Sequence, residues 1–402
     1  MRKLFLLALT AATLLPAGMR AQNITPIYVY TDLGALPSTG INVNGVIGNV
    51  TKTVTDSEAT GISNTGHVVG VLDLTASNVT SANLRTQVTV TVTREFSYFN
   101  GVTNSFGTFM NGNNSAGFGI NSVNSVAGFS DTNSSSTDLA VVFHNNIFTA
   151  IGSQNVGSSE ALAINELGHT TGSAEEEVQI TSNSIAIIQK AFIWKGGTAA
   201  VLRDLTSTIK NSSTAGTAVG NAINRSDQVA GSSSVSVNGV ITTHACIMVS
   251  ATAPAIDLGT LSSAANIPNS SATSFGLGIN NEGDVCGYGS APSGSNTHAF
   301  LFTGGAGGSM SDLGVLPNGR NSFATAINNA GSIVGYGDEG TAGANFAAVW
   351  DPINGWQDLN TLTTGQDNWV MEEALGVNDS GQIEVGGKGR GSRRSHQPRL
   401  MQ

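Results

Sequence analysis

An all-β fold, a seven-bladed β-propeller of four-stranded antiparallel blades, is what this sequence predicts. Three observations carry it: a ten-residue motif recurs seven times, small residues stand two apart ahead of each copy, and no stretch shows a strong helical hydrophobic period. The clearest copies run from Ile279 to Tyr288 (Ile-Asn-Asn-Glu-Gly-Asp-Val-Cys-Gly-Tyr) and from Ile327 to Tyr336 (Ile-Asn-Asn-Ala-Gly-Ser-Ile-Val-Gly-Tyr). Weaker copies begin at Ile62, Ile120, Ile164, Ile223 and Val377, at spacings of 44 to 59 residues. The alternative architecture for such a period is an open β-repeat array or solenoid.

Each unit divides into four short segments. The first carries the paired small residues, such as Ala324 and Ala326, Gly276 and Gly278, Gly117 and Gly119, or Ala374 and Gly376. Residues two apart on a strand share a face, so one face is kept small, as expected where strands crowd around a narrow axis. The second segment is a turn and a strand. Asn280 and Asn328 can bond their own backbone two residues on, and Gly283 and Gly331 can take positive φ. The third is His298-Ala299-Phe300-Leu301-Phe302, echoed by Lys190-Ala191-Phe192-Ile193-Trp194 and Phe346-Ala347-Ala348-Val349-Trp350. The fourth is Asp312-Leu313-Gly314, echoed by Asp257-Leu258-Gly259, Asp204-Leu205-Thr206 and Asp358-Leu359-Asn360. Four strands in about 45–50 residues is the signature of a propeller blade.

The chain ends predict how a ring would close. An extra fourth-type segment, Tyr28-Val29-Tyr30-Thr31-Asp32-Leu33-Gly34, precedes the first repeat, and the seventh repeat lacks its own. The segment His396-Gln397-Pro398-Arg399-Leu400-Met401 is a poor third-type strand, because Pro398 cannot donate to a ladder. Residues 26–34 are therefore expected to supply the outer strand of the seventh blade and hide the free edges.

Residues 1–21 have the form of a secretory signal peptide: Arg2 and Lys3, an apolar run from Leu4 to Leu15, and a cleavage point between Ala21 and Gln22. The run is too short to span a membrane. Residues 22–402 are then one propeller domain, secreted to a periplasmic or extracellular space, with no membrane insertion after cleavage. Charged residues are only 11%, and the net charge of −10 speaks against nucleic acid or an anionic membrane as partner. The two cysteines, Cys246 and Cys286, are open to two readings: a disulfide, which an oxidising compartment permits, or two buried small hydrophobes.

The intact His298-Ala299-Phe300, then Asp312-Leu313-Gly314, then Ala326-Ile327-Asn328-Asn329 with Gly331 and Val334-Gly335-Tyr336, resembles the bacterial extracellular repeat family named for its His-Ala-Phe (HAF) tripeptide. The resemblance runs from about Tyr28 onward and is strongest between Phe275 and Tyr336. It implies a secreted bacterial protein and supplies no catalytic residues. Family members often carry a C-terminal sorting tail with a Pro-Glu-Pro motif, which is not found here, so sorting by that route is not expected.

Candidate chemistry is sparse. Of six histidines, His244, His298 and His396 recur at one repeat position, which suits architecture better than catalysis. Glu175-Glu176-Glu177 is expected in a solvated loop. Lys388, Arg390, Arg393, Arg394 and Arg399 form a basic cluster that could face an acidic glycan or envelope surface. No nucleophile-elbow pattern precedes a helix, and Gly304-Gly305-Ala306-Gly307-Gly308 precedes a strand, so neither acyl transfer nor phosphate cradling is indicated. Trp356 and Trp369 are candidate ligand-binding residues, able to stack on a sugar. The expectation is a secreted, non-enzymatic, monomeric binding or scaffold module for an extracellular glycan or envelope protein, with no cofactor or metal. Its binding surface is expected at the end of the ring reached by the insertions Gly70 to Phe96 and Gly172 to Ala191. The alternative is a secreted glycan hydrolase or lyase with Asp338 or Glu339 and Glu372 or Glu373 as acids across the propeller mouth.

Overall fold

The computed structural model describes residues 5–9, 28–32, 51–80, 87–109, 111–132, 135–151, 157–181, 184–208, 216–264, 271–340, 343–364 and 369–389. It is an all-β propeller. Six four-stranded antiparallel blades span residues 51–104, 111–150, 159–201, 218–259, 274–312 and 322–358, each hydrogen-bonded in chain order from the axis outward. The inner strand of each blade packs on the second strand of the blade before it.

Six such blades form, not the seven expected. The seventh repeat instead enters a five-stranded mixed sheet, ordered Thr363–Thr364, Tyr28–Asp32, Phe5–Leu9, Ile383–Gly389, Trp369–Val377. Segments from the N-terminal part of the chain complete this sheet. Phe5–Leu9 pairs antiparallel with both Ile383–Gly389 and Tyr28–Asp32, and Thr363–Thr364 adds a parallel edge. The strand Thr51–Ile62 of the first blade packs against Ile383–Gly389, so the last repeat returns to the first and an open array does not form. His396, Pro398 and the arginines from Arg390 onward lie outside the described residues.

The paired small residues do not share a face, as the sequence pattern suggested. In all seven inner strands the register shifts between them, a β-bulge falling between Ala324 and Ala326 and at each equivalent pair. A bulge re-aims the residues that flank it. The first small residue therefore faces the blade before and the second the blade after. A side chain at Gly276 would press on Gly231 of the fourth blade, and one at Gly278 on Ala326 of the sixth. The bulge also explains the Gly in Val-Gly-Tyr: a Cβ on Gly335 would overlap the Phe323 carbonyl oxygen, as one on Gly287 would overlap that of Phe275.

The core lies in layers between blades. Ala230 and Ile247 of the fourth blade pack with Val285, Phe300 and Phe302 of the fifth, and Cys286 and Ala299 of the fifth with Ile333 and Ala348 of the sixth. Phe300 is fully buried, which contributes about 1.5–3 kcal/mol. Tyr28 is buried with Val334, Leu359, Met371 and Val385, which anchors its strand against the sixth blade and the closing sheet. Two further corrections concern local structure. Glu175-Glu176-Glu177 lies within the strand Thr170–Thr181, not in a loop, and the outer strand of the fifth blade ends at Asp312, leaving Leu313 and Gly314 beyond it. The two long insertions are extensions of antiparallel hairpins, paired out to Thr80 and Gln87 and to Thr181 and Ser184.

Candidate functional site

The motif asparagines and glycines build the ring. Asn328 Oδ1 accepts from the backbone of Ala330 and Ser332, at 3.1 and 2.9 Å, closing its own turn. Its Nδ2 donates to the Asn378 carbonyl of the next repeat at 3.0 Å. The same link passes from Asn121 to Asn165, from Asn165 to Asn224, from Asn224 to Asn280, and from Asn378 to Ser63, where the circle returns to the first blade. Asn280 closes its turn through Glu282 and Asp284. A left-handed residue ends each turn: Gly283 at φ 85° and Gly331 at 80°, with Asn124 and Asp227, both at 61°, where two repeats lack Gly. Asn and Asp are the side chains that tolerate this region best.

An outer ring of polar contacts surrounds this one. Arg225 N donates to Asn281 Oδ1, Asn281 N to Asn329 Oδ1, Asn329 N to Asp379 Oδ1, and Asp379 N to Asn64 Oδ1. The channel mouth is a cavity of about 230 Å³ lined by the leading Ile and Val of the motifs and by turn residues that include Glu166, Arg225 and Asp379.

The recurring third- and fourth-segment residues pair within a blade. His244 Nδ1 lies 2.9 Å from Asp257, His298 Nδ1 2.8 Å from Asp312, and Lys190 Nζ 3.0 Å from Asp204. Asp312 also accepts from Gly314 N, which holds the chain at its φ of 72°. A serine bridges blades: Ser322 Oγ accepts from Ala299 N and donates to Gly314 O, both in the preceding blade. These polar groups tie strand to strand within a blade and one blade to the next.

The sequence-predicted candidates fare unevenly. Trp356 is 5% exposed, packed in the layer between the fifth and sixth blades, so it has no face to offer a sugar. Its position on an outer strand of the sixth blade turns the ring inward, which a single-sequence reading could not assign. Trp369 is half-buried at the start of its strand. The acids named for the propeller mouth are engaged elsewhere. Asp338 accepts from Arg320 N, Asn321 N and Asn321 Nδ2, which holds its carboxyl below the usual range although burial acts in the other direction. Glu372 pairs with Lys388 across its hairpin, and Glu373 is buried. Glu339 is half-buried, its pKa raised by burial. Cys246 and Cys286 are both free and fully buried, and burial pushes the Cys286 thiol up to about 12.

A cavity of about 570 Å³ opens beside the first two blades. It lies at the end carrying the turns around Asn124 and Asn145, opposite the tips of the long hairpins where a binding surface was expected. Its floor is aromatic: Phe106 stacks on Phe143 at 3.9 Å, and Phe148 tilts against Phe143 at 4.8 Å. Its walls are amides and hydroxyls, from Asn104, Ser105, Thr108, Asn124, Asn145 and Asn146. Asn145 and Asn146, at φ 49° and 63°, make the two-residue hairpin that turns Phe143 and Phe148 to one side. Ser105 Oγ and Asn124 Oδ1 are buried without a hydrogen-bond partner.

The loop bearing Ser105 and Phe106 is pinned from beneath. Buried Glu95 accepts from Phe106 N at 2.7 Å and from Ser115 Oγ. Burial pushes its carboxyl up to about 7, against the opposing effect of those hydrogen bonds and of Arg94. The sequence carried one signal for this site, the Asn145-Asn146 pair between two apolar runs. Phe143 and Phe148 pair across that hairpin, where the fifth blade has Phe302 and Met310, and blade packing brings Phe106 onto them.

No family model and no curated protein matches the chain. Among solved structures it is similar to the β-propeller domain of the Trilobed protease from Pyrococcus furiosus, described as having an open velcro topology. Identity is 9% and the TM-score 0.34, over 76% of this chain and 96% of that one. Likeness of that order says nothing about what this chain does.

Proposed function

We propose that the protein is a secreted, non-enzymatic binding or scaffold module for an extracellular glycan or envelope protein. One observation carries this reading: the polar side chains that recur with the repeat are engaged in ring architecture, and a concave site forms where copies differ in residue type, Phe148 standing where the fifth blade has Met310 and Asn124 where the sixth has Gly331. Function follows the differences between copies, as it does in repeat folds whose loops vary on a fixed scaffold. The resemblance to HAF-repeat proteins and the N-terminal apolar run support secretion. The five-stranded sheet is best understood as the seventh blade, with Tyr28–Asp32 as a closing strand supplied by the other end of the chain.

Cleavage after Ala21 would remove Phe5–Leu9 and free its place beside Ile383–Gly389. N-terminal sequencing of the exported protein tests the leader directly. Incubation with immobilised polysaccharides and native envelope material tests the rest. Retention without release of soluble sugar is expected; release of product would favour a hydrolase or lyase and overturn the non-enzymatic reading.

A further inference from the structure

We infer that the cavity beside the first two blades is a subsite for an uncharged saccharide; the assignment rests on the binding reading above and names its ligand class. The lining contains no ionisable side chain. An anion such as phosphate or sulfate would find no cation there, and a cationic ligand no carboxylate, because Glu95 faces the buried side of the loop and is already bonded to Phe106 N and Ser115 Oγ. A purely apolar ligand would strip water from the surrounding amides without replacing their hydrogen bonds, which is costly. A sugar ring answers both halves of the site. Its C–H face can lie on the Phe148 side of the aromatic floor, and its hydroxyls can exchange hydrogen bonds with the amides of the walls; Asn124 Oδ1 and Ser105 Oγ, buried and unpartnered as they stand, can join them once their side chains rotate toward the cavity. The volume, about 570 Å³, is that of a small-molecule site.

The test is calorimetric titration of the full chain with neutral tetrasaccharides (cello-, malto-, xylo-, manno- and chito-series), with an oligogalacturonate as the charged probe. Variants are Phe148→Ala, Ser105→Ala and Asn124→Gly, the last keeping the left-handed backbone; their melting curves report folding independently. At least one neutral probe is expected to bind with an affinity insensitive to added salt. Phe148→Ala should weaken it about tenfold, and each polar variant about three- to tenfold. Unchanged affinity in all three folded variants would overturn the cavity as the site and leave the binding reading standing. Preference for oligogalacturonate, or capture of an envelope protein with no neutral sugar bound, would overturn the ligand class alone. Failure to retain either sugars or envelope material would remove the binding reading as well.

Discussion

Asn328 shows how one residue type can look like chemistry and serve structure. Its oxygen closes a turn and its amide reaches the next repeat. The two roles separate by substitution. Asn328→Asp keeps the acceptor and loses the donor, and should cost about 1 kcal/mol; Asn328→Ala loses both and should cost about 2–3 kcal/mol in urea unfolding. Gly331, at φ 80°, meets nothing where a Cβ would stand, so backbone strain alone decides its replacement. Gly331→Val should destabilise by more than about 1 kcal/mol, and Gly331→Asn by less, since Asn124 holds the same turn position. Equal losses for Val and Asn would show that side-chain strain is not the cause.

At the scale of the strand and blade, period and spacing gave away a great deal. The hairpin, the third segment and the alternation of small residues follow from local preferences that survive in one sequence. The bulge did not, because two small residues two apart look the same whether they share a face or straddle a register shift. The cavity was still less legible: Phe143 and Phe148 face each other across one hairpin, but only the docking of one blade on the next brings Phe106 onto them. Copies can also differ destructively. Glu384 stands where other repeats have Val69, Cys286 or Val334, fully buried with neither carboxylate oxygen partnered.

Burial, reinforced by Glu58, pushes the Glu384 pKa from 4.5 up to about 8. Between those values the folded chain keeps a proton that the unfolded chain has lost. Stability is therefore full below about pH 4.5 and declines as pH rises through 8; Glu95, pushed up to about 7, adds to the same slope. The melting temperature should rise on going from pH 8 to pH 5. Glu384→Val should raise it at pH 8 and flatten that dependence, measured by calorimetry across the range.

For the whole molecule, the closing sheet is the weak place, because it alone joins segments from opposite ends of the sequence. Deleting residues 26–34 removes Tyr28 from its buried cluster and should lower the melting temperature sharply. An unchanged transition would mean that the strand contributes nothing to closure. The bond from Asn378 to Ser63 spans 315 positions along the chain, the same separation that divides Asp379 from Asn64. During synthesis, every other layer between blades can form from neighbours made moments apart, but this one must wait until almost the whole polypeptide has been made. The first blade thus emerges with one flank bare and keeps it bare until the last repeat arrives. Closing so long a loop is entropically slow, and an uncovered β-surface in the interval invites pairing with another chain. Yield during production should accordingly depend on polypeptide concentration more steeply than the stability of the finished ring would suggest.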